Sequence, residues 1–563
     1  MKKKSLTLIL ITNAILAVTS FAAAPKEVQQ ASKSLVTIVT YDSKDNLLHS
    51  TNGFYINSKG EVLSDYEAFK DASKAFIING NGSKVPVARI CGANDIYNLI
   101  KVTTLKNYKD VATITSTSAS LNETCYILVP QGKKTITVET KITNTETVKN
   151  GNYYTLNIPY KEQYLSCPLV NGKGEVFAII QKSDTKNNEK TYAISANTGS
   201  SLKANAFSFS SQTLKSINIP KQIPDNEKDA STYIFLMGQT QSDSLTCLTA
   251  LNDFIAAYPL NADGYTERAK FYGKYRQYKE CANDISSATQ HCSQKDVPHY
   301  TFSRIIYQNA LYNSAFKDST TWSLDKALQE ANLAYDNNPT PLYTLQQGYC
   351  YYGMKQYPQA LEKFKAVNQT DLASSETFFY EAQAMAKMDK QAEEIIPLLD
   401  SAIVRFTPPY NKAVAPYFWE RAKYLSKAEK YREAVLDLNE YEHIIGFNNL
   451  NDKFYYMREQ AAMESKLYQQ AVEDINRCVT LQPNNYLYKI EKSALLIQVG
   501  QLDEAILTAR QAIQLEPEDS DGYKMLGVAY GEKKNKKAAI ENLKKAQSLG
   551  DSTIEKLIEV YGK

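Results

Sequence analysis

Ala471, Ala505 and Ala539 stand 34 residues apart, and so do Cys478, Ala512 and Ala546, and again Pro483 and Pro517. A small residue, a second one seven positions later and a proline five after that, recurring at one period, leave few folds open. Two helices that cross closely need small side chains at the crossing. The proline ends the second helix and starts the turn to the next unit. One helical pair cannot bury its own apolar face, so such units stack into a solenoid. Towards the N-terminus the same helix-B position falls on Ala434, Ala392, Ala360, Ala327, Cys281 and Cys247, the last two again 34 apart. Cysteine stands in there as a small packing residue. Pro259 and Pro339 fall at turns between units. About nine helical pairs are expected between residues 228 and 553. The spacing departs most in the pair before Pro339 and the pair around 375 to 412.

The last unit, DGYKMLGVAYGEKKNKKAAIENLKKAQSLG, keeps Tyr523, Leu526, Gly527, Tyr530, Ala539 and Ala546 at a spacing that resembles the tetratricopeptide repeat (TPR). The resemblance implies an array that binds peptides or partner proteins on its concave face and has no chemistry of its own. Tyr456, Met463, Ile490 and Ile497 are expected to face that groove. Three units carry Arg at the seventh position and Asp sixteen residues later: Arg268 with Asp284, Arg421 with Asp437, and Arg458 with Asp474. An ion pair is expected in each, structural in role.

The first half has a different period. SLVTIVTY, NGFYIN, KAFIING, NLIKVTT, TCYILVP, KTITVETKI, YYTLNI and EVFAIIQ are short and rich in β-branched and aromatic residues, with Asn, Gly, Lys and Asp between them. Many short strands at close spacing predict a barrel or sandwich. SINIPKQIPDNEKDAS, polar and with two prolines, reads as a linker. At the N-terminus MKKK, the apolar run SLTLILITNAILAV and the small residues SFAAA form a cleavable secretory signal, too short for a membrane span. Lys2, Lys3 and Lys4 account for the whole formal net charge of +3. A mature chain near neutrality gives no reason to expect nucleic acid. The eight cysteines are widely and irregularly spaced without C-x-x-C, and the four histidines are scattered along the chain. No metal and no cofactor is expected; the cysteines read as buried small residues.

Over roughly residues 30 to 200 the order of segments resembles the trypsin-like proteases of the HtrA/DegP type. STNGFYINSKGEVLSDYEAF, then IYNLIKVTT, then QYLSCPLVNGKGEVFAII stand where that family carries its catalytic His, Asp and Ser segments. Carried over by position, the three catalytic residues fall on Glu67, Asn98 and Leu165. Ser166 and Cys167 take two glycine positions and Gln163 the first. A serine needs a base within reach. The only histidine of this half, His49, lies 18 residues before the expected position. Gln163, Ser166 and Cys167 also lack the conformational freedom that lets an oxyanion hole turn its N–H groups outward.

The sequence therefore predicts a multidomain protein, an all-β trypsin-like double barrel followed by an all-α TPR solenoid. The expected spans are signal 1–22, pseudoprotease barrel domain 30–215, linker 216–230 and solenoid of about nine helical pairs 231–563. The expected function is an exported, periplasmic or secreted, protein-binding scaffold with an inactive trypsin-like domain and no integral membrane segment after cleavage. The alternative is an endopeptidase with a rearranged site, in which Ser166 or Cys167 works with Glu67.

Overall fold

The computed structural model describes residues 24–148, 151–183, 189–240, 244–312 and 322–562. The expected signal, residues 1–22, lies outside the described residues. The chain divides into two compact units, Met1–Pro298 and His299–Lys563. Its class is the one the sequence predicts: an all-β region with a half-barrel and a closed barrel, then helical pairs consistent with a TPR solenoid.

The first unit opens with α1 (Lys26–Ala31). Seven strands follow: β1 (Leu35–Tyr41), β2 (Leu47–Tyr55), β3 (Glu61–Ser64), β4 (Lys74–Asn79), β5 (Lys84–Pro86), β6 (Arg89–Asn94) and β7 (Leu99–Thr103). They form an antiparallel sheet in the order β5-β4-β1-β2-β3-β7-β6. Strand β1 alternates buried and half-buried residues, as a strand with one face on a core does. The next six strands are β8 (Thr124–Gln131), β9 (Lys134–Val148), β10 (Gly151–Leu156), β11 (Pro168–Val170), β12 (Val176–Gln181) and β13 (Thr191–Ser195). They close into a barrel in the order β10-β13-β12-β11-β8-β9. Each sheet has its own apolar core, and a third cluster joins them: Phe54, Leu63 and Leu99 pack with Leu128, Val176 and Ile194. That seam is where residues of the two sheets can meet.

After β13 come two short helices, α2 (Ala196–Ser200) and α3 (Gln212–Lys215). Of the segment read as a linker, 216–230, the first part, 216–222, is laid on the first sheet, and the last four residues open the next helix. Asp71 N–H donates to the Ser216 carbonyl at 2.7 Å and Asn218 N–H to the Ala72 carbonyl at 2.8 Å. Ile90 N–H donates to the Pro220 carbonyl, and Gln222 N–H returns a bond to the Ile90 carbonyl, both 2.9 Å. Ile217 and Ile219 are buried in the first core. The segment as a whole is polar, yet in SINIP two isoleucines alternate with polar residues as a strand's do.

The helical pairs begin in this unit with α4 (Glu227–Gln239), α5 (Ser244–Ala257), α6 (Ala262–Lys274) and α7 (Tyr278–His291). Arg89 of β6 forms a two-pronged bond to Asp253 of α5 at 2.6 and 2.8 Å, and Phe209 meets Tyr233 of α4 edge-on. The array runs on through α8 (Asp296–Tyr312), α9 (Leu324–Asn337), α10 (Pro341–Gly353), α11 (Tyr357–Asn368), α12 (Ser375–Lys387), α13 (Ala392–Ile403), α14 (Ala415–Lys427) and α15 (Tyr431–Ile445). It ends with α16 (Asp452–Glu464), α17 (Tyr468–Leu481), α18 (Tyr486–Gln498), α19 (Leu502–Leu515), α20 (Ser520–Glu532), α21 (Lys536–Ser548) and α22 (Glu555–Gly562).

Within a pair the helices approach so closely that a Cβ added to Gly527 of α20 would stand 2.7 Å from Leu543 of α21. Ala471, Ala505, Ala539 and Cys478 are fully buried at the crossings. All eight cysteines are buried free thiols. The turn between the helices of a pair carries a residue in the left-handed region. Lys466, Gly500 and Lys534 hold it at intervals of 34, and Arg276, Lys355, Asp389 and Glu429 hold it in other units.

The three arginines each join three helices. Arg268 donates through Nε and Nη2 to Asp284 at 2.8 and 2.6 Å, and through Nη1 to Asn252 of the preceding helix at 2.6 Å. Arg421 does the same to Asp437 and to Asp400. Arg458 binds Asp474 at 2.9 and 2.7 Å, and its Nη1 reaches Asn439 at 2.9 Å and Glu442 at 2.7 Å. The planar fork of five N–H donors makes this three-way junction available to arginine and not to lysine. Where the arginine is missing the junction is weaker: among the described residues Gln347 donates to Asn332, and Lys492 pairs with the half-exposed Glu504.

Glu459 stands 34 residues before Ser493 and 68 before Gly527, at a position held by small residues in those units. It is 1% exposed, and its carboxylate accepts a bond from Gln460 at 2.8 Å. Burial, with the nearby Glu491 and Asp474 carboxylates adding to it, pushes its carboxyl up to about 7. A carboxyl raised on folding opposes the fold when ionised. That penalty is absent below the ordinary glutamate range, and it grows until pH has risen past about 7.

Two outcomes are expected from denaturant unfolding of the array. Arg458→Met, which leaves the buried Asp474 uncompensated, should cost about 3–5 kcal/mol, and Arg268→Met, at a more exposed junction, clearly less. Glu459→Gln should leave stability at pH 4.5 nearly unchanged and raise it by about 3 kcal/mol at pH 8, flattening the fall between them.

Candidate functional site

The segment that stands where a trypsin-like nucleophile loop would be begins as a tight 3-10 turn, Glu162–Tyr164, and leads into β11. From Leu165 to Cys167 its backbone donors are used within the protein. Leu165 N–H donates to the Glu162 carbonyl at 3.1 Å, Ser166 N–H to the Ile180 carbonyl at 3.0 Å and Cys167 N–H to the Tyr164 carbonyl at 3.0 Å. Ile180 N–H in turn donates to the Cys167 carbonyl at 3.0 Å, so the loop is zipped onto β12. Ser166 takes the left-handed conformation, φ +59°, which costs a residue other than glycine about 1–2 kcal/mol. The bonds on either side hold it there.

Residues of the first sheet close over this loop. Asn52 of β2 donates through Nδ2 to the Gln163 and Leu165 carbonyls, both at 3.0 Å, and to Cys167 Sγ at 3.4 Å. Asp65, just past β3, is 3% exposed. Its Oδ1 accepts the Ala68 N–H at 2.9 Å, and its Oδ2 accepts the Thr51 hydroxyl and, at 3.3 Å, the Ser166 hydroxyl. Burial raises the Asp65 carboxyl above its usual range, and these three donors offset only part of that.

Glu67, Asn98 and Leu165 are arranged as follows. Glu67 and Asn98 are brought together, but by backbone: Glu67 N–H donates to Asn98 Oδ1 at 2.8 Å, and Tyr66 N–H to the Asn98 carbonyl at 3.2 Å. The Glu67 carboxylate points to Lys70 and Lys182, 3.7 Å from each, and among the described residues it makes no hydrogen bond to Ser166 or Cys167. Leu165 meets the cluster through its carbonyl, which accepts from Asn52. The carboxylate that meets Ser166 is Asp65, two residues before Glu67. Sequence reading missed it, together with Thr51 and Asn52. The one signal was their polarity, in STN and SDY, beside strand residues that pack inward.

Ser166 and Cys167 are 1% and 0% exposed. A thiolate is the reactive form of cysteine, and burial pushes the Cys167 thiol far up. The Ser166 hydroxyl donates to a carboxylate that is itself enclosed. His49 lies exposed on β2, opposite Thr40. Among the described residues no group of three or more His, Cys, Asp or Glu is placed to hold a metal ion. In the repeats, Tyr456 of α16 lies against Tyr488 of α18, with ring centroids 5.2 Å apart. Tyr456, Met463 and Ile497 are half-buried against the array core, and Ile490 is half-buried as well. No helix among the described residues is long and apolar enough to cross a membrane.

The tetratricopeptide repeat family matches residues 521–549. Over 295 residues, 51% of this chain, the sequence is 23% identical to the mitochondrial import receptor subunit TOM70 of Mus musculus, and it spans 46% of that protein's length. Among solved structures, the chain is similar to the serine endoprotease from Yersinia pestis, with 17% identity and a TM-score of 0.28. That match covers 31% of this chain and 62% of the other. It is also similar to the HtrA-type protease AlgW with decapeptide, with 13% identity, a TM-score of 0.26 and coverage of 31% and 64%.

Asp65→Ala should leave two hydroxyls and one N–H without their acceptor and destabilise the first unit by about 2–3 kcal/mol, read by thermal unfolding. Cys167 should stay unmodified by a thiol reagent at pH 8 in the native chain and react once Asp65→Ala has loosened the seam, as peptide mass mapping would record.

Proposed function

We propose that this chain is an exported protein-binding scaffold in which a trypsin-like domain has lost its catalysis and a TPR array carries the binding. The observation that carries the first half is the closed state of the loop. The Leu165 N–H, which stands where the nucleophile's own N–H would help hold a developing oxyanion, is bonded back to Glu162. An oxyanion hole requires donors aimed at the substrate before it arrives. Glu67, Asn98 and Leu165 supply neither an imidazole base nor a nucleophile.

The repeats support the second half. TPR arrays present stacked helices to a peptide or protein partner, and Tyr456, Met463, Ile490 and Ile497 are offered as part of that face. The relative matched here is itself named an import receptor subunit. Export, to the periplasm or beyond, rests on the MKKK run, the apolar stretch after it and the small residues at 22 to 24. The neutral balance of the remaining chain supports protein rather than nucleic-acid partners.

The contact of Ser166 with Asp65 is what supports the alternative, a rearranged endopeptidase. Incubation with casein and labelling with a fluorophosphonate, each with Ser166→Ala and Cys167→Ala as controls, separates the two readings. The scaffold reading expects no cleavage and no label. Cleavage abolished by either substitution would overturn it.

A further inference from the structure

A cavity of about 790 Å³ opens in the first unit, between the segment that follows the closed barrel and the first two repeat helices. Its floor is apolar: Leu214, Ile217, Tyr233 and Met237 are all buried and all line it. Two lysines, Lys215 and Lys221, share the lining with hydroxyls such as Ser73 and Ser210, and among the described residues that line it there is no carboxylate. Such a distribution is one-sided, since a surface of this size on a near-neutral protein would ordinarily mix both signs.

Lys221 is the unusual member. The bridge between its segment and Ile90 fixes its backbone. Its ammonium donates to the Ile217 carbonyl, and among the described residues no Asp or Glu pairs with it. Burial alone, with no opposing carboxylate, brings it down to about 8. A half-buried ammonium with one neutral acceptor and no counter-ion is a poor structural element, because an apolar residue of similar length would fit with less penalty. The same arrangement suits the head of an anionic ligand, since an N–H to carboxylate bond in a sheltered site is among the stronger polar contacts. The floor would take the rest of that ligand. An aliphatic chain needs no polar partners along its length, whereas a peptide backbone would need several, and the four floor residues offer only the Tyr233 hydroxyl.

We propose that this cavity binds an aliphatic monocarboxylate, its carboxylate on Lys221 and its chain over Leu214, Ile217, Tyr233 and Met237. The volume lies within the range of small-molecule sites. The site is independent of the nucleophile-loop seam and of the concave face of the repeats, so the scaffold reading can fail without it.

Calorimetric titration of the purified full chain at pH 7 tests this, with sodium octanoate, 1-octanol and the tripeptide Gly-Gly-Leu as probes. Octanoate is expected to bind saturably and at least about tenfold more tightly than octanol. Lys221→Met should weaken octanoate about tenfold and leave octanol unchanged. Should that variant fail to fold, Ser210→Trp, at the exposed rim, should obstruct the mouth and abolish both. The proposal is overturned if octanoate gives no saturable heat up to about 2 mM, if octanol equals it, or if Lys221→Met binds octanoate as the native chain does. Tighter binding of the tripeptide than of octanoate overturns the aliphatic assignment.

Discussion

The contact on which the repeat array depends is a crossing of two helices with no room for a side chain. At Gly527 the facing Leu543 would lie 2.7 Å from an added Cβ, and the crossings elsewhere are filled by fully buried alanines and cysteines. Close approach removes the gap at the pair's centre and turns both apolar faces outward, toward the next pair. Stacking then follows, because neither face can be left to water. The left-handed residue between the helices reverses the chain quickly enough to bring the second helix back onto the first. The arginine junctions are laid over this geometry. They join a pair to its predecessor at Arg268, Arg421 and Arg458, and the array stacks without them elsewhere.

How much of this was legible depends on which atoms carry the information. Small residues at a crossing are visible as letters at a fixed period, so the register of the last units could be read from Ala471, Ala505 and Ala539. The inner turns could not be found in the usual way. Their left-handed position holds glycine at Gly500, but Lys, Glu, Asp or Arg at the others. A local backbone cost is accepted there because the packing on both sides fixes the turn, and tertiary context overrides the residue preference. The third partner of each arginine, Asn252, Asp400 or Glu442, was also illegible. It comes from the preceding unit, whose offset differs between repeats.

The β region was legible in its strands and less so in its seam. Strand runs announce themselves by alternation, and their order carries the two sheets. Asp65, Thr51 and Asn52 leave no such mark. They gain meaning only when β2 and β3 of one sheet lie against the 162–167 loop of the other, more than a hundred residues away. Glu67 stands at the position that a motif comparison selects, yet it faces two surface lysines. The buried carboxylate two residues earlier makes the contact. A polar residue enclosed at such a seam holds two sheets in one relation, since each of its bonds is lost if they slide.

The return of residues 216–222 to the first sheet has a consequence in time. Leu214, Ile217 and Ile219 belong to the same core as Val36 and Ile38, so that core contains contacts spanning about 180 residues of chain. A ribosome or a translocation pore delivers the N-terminal end first. The opening strands therefore emerge well before the residues that complete their core, and they must wait through the whole of the second barrel. During that interval their apolar faces are incompletely covered. For a polypeptide threaded across a membrane this order is workable, because a chain that cannot finish its first domain early also cannot jam the pore by folding too soon.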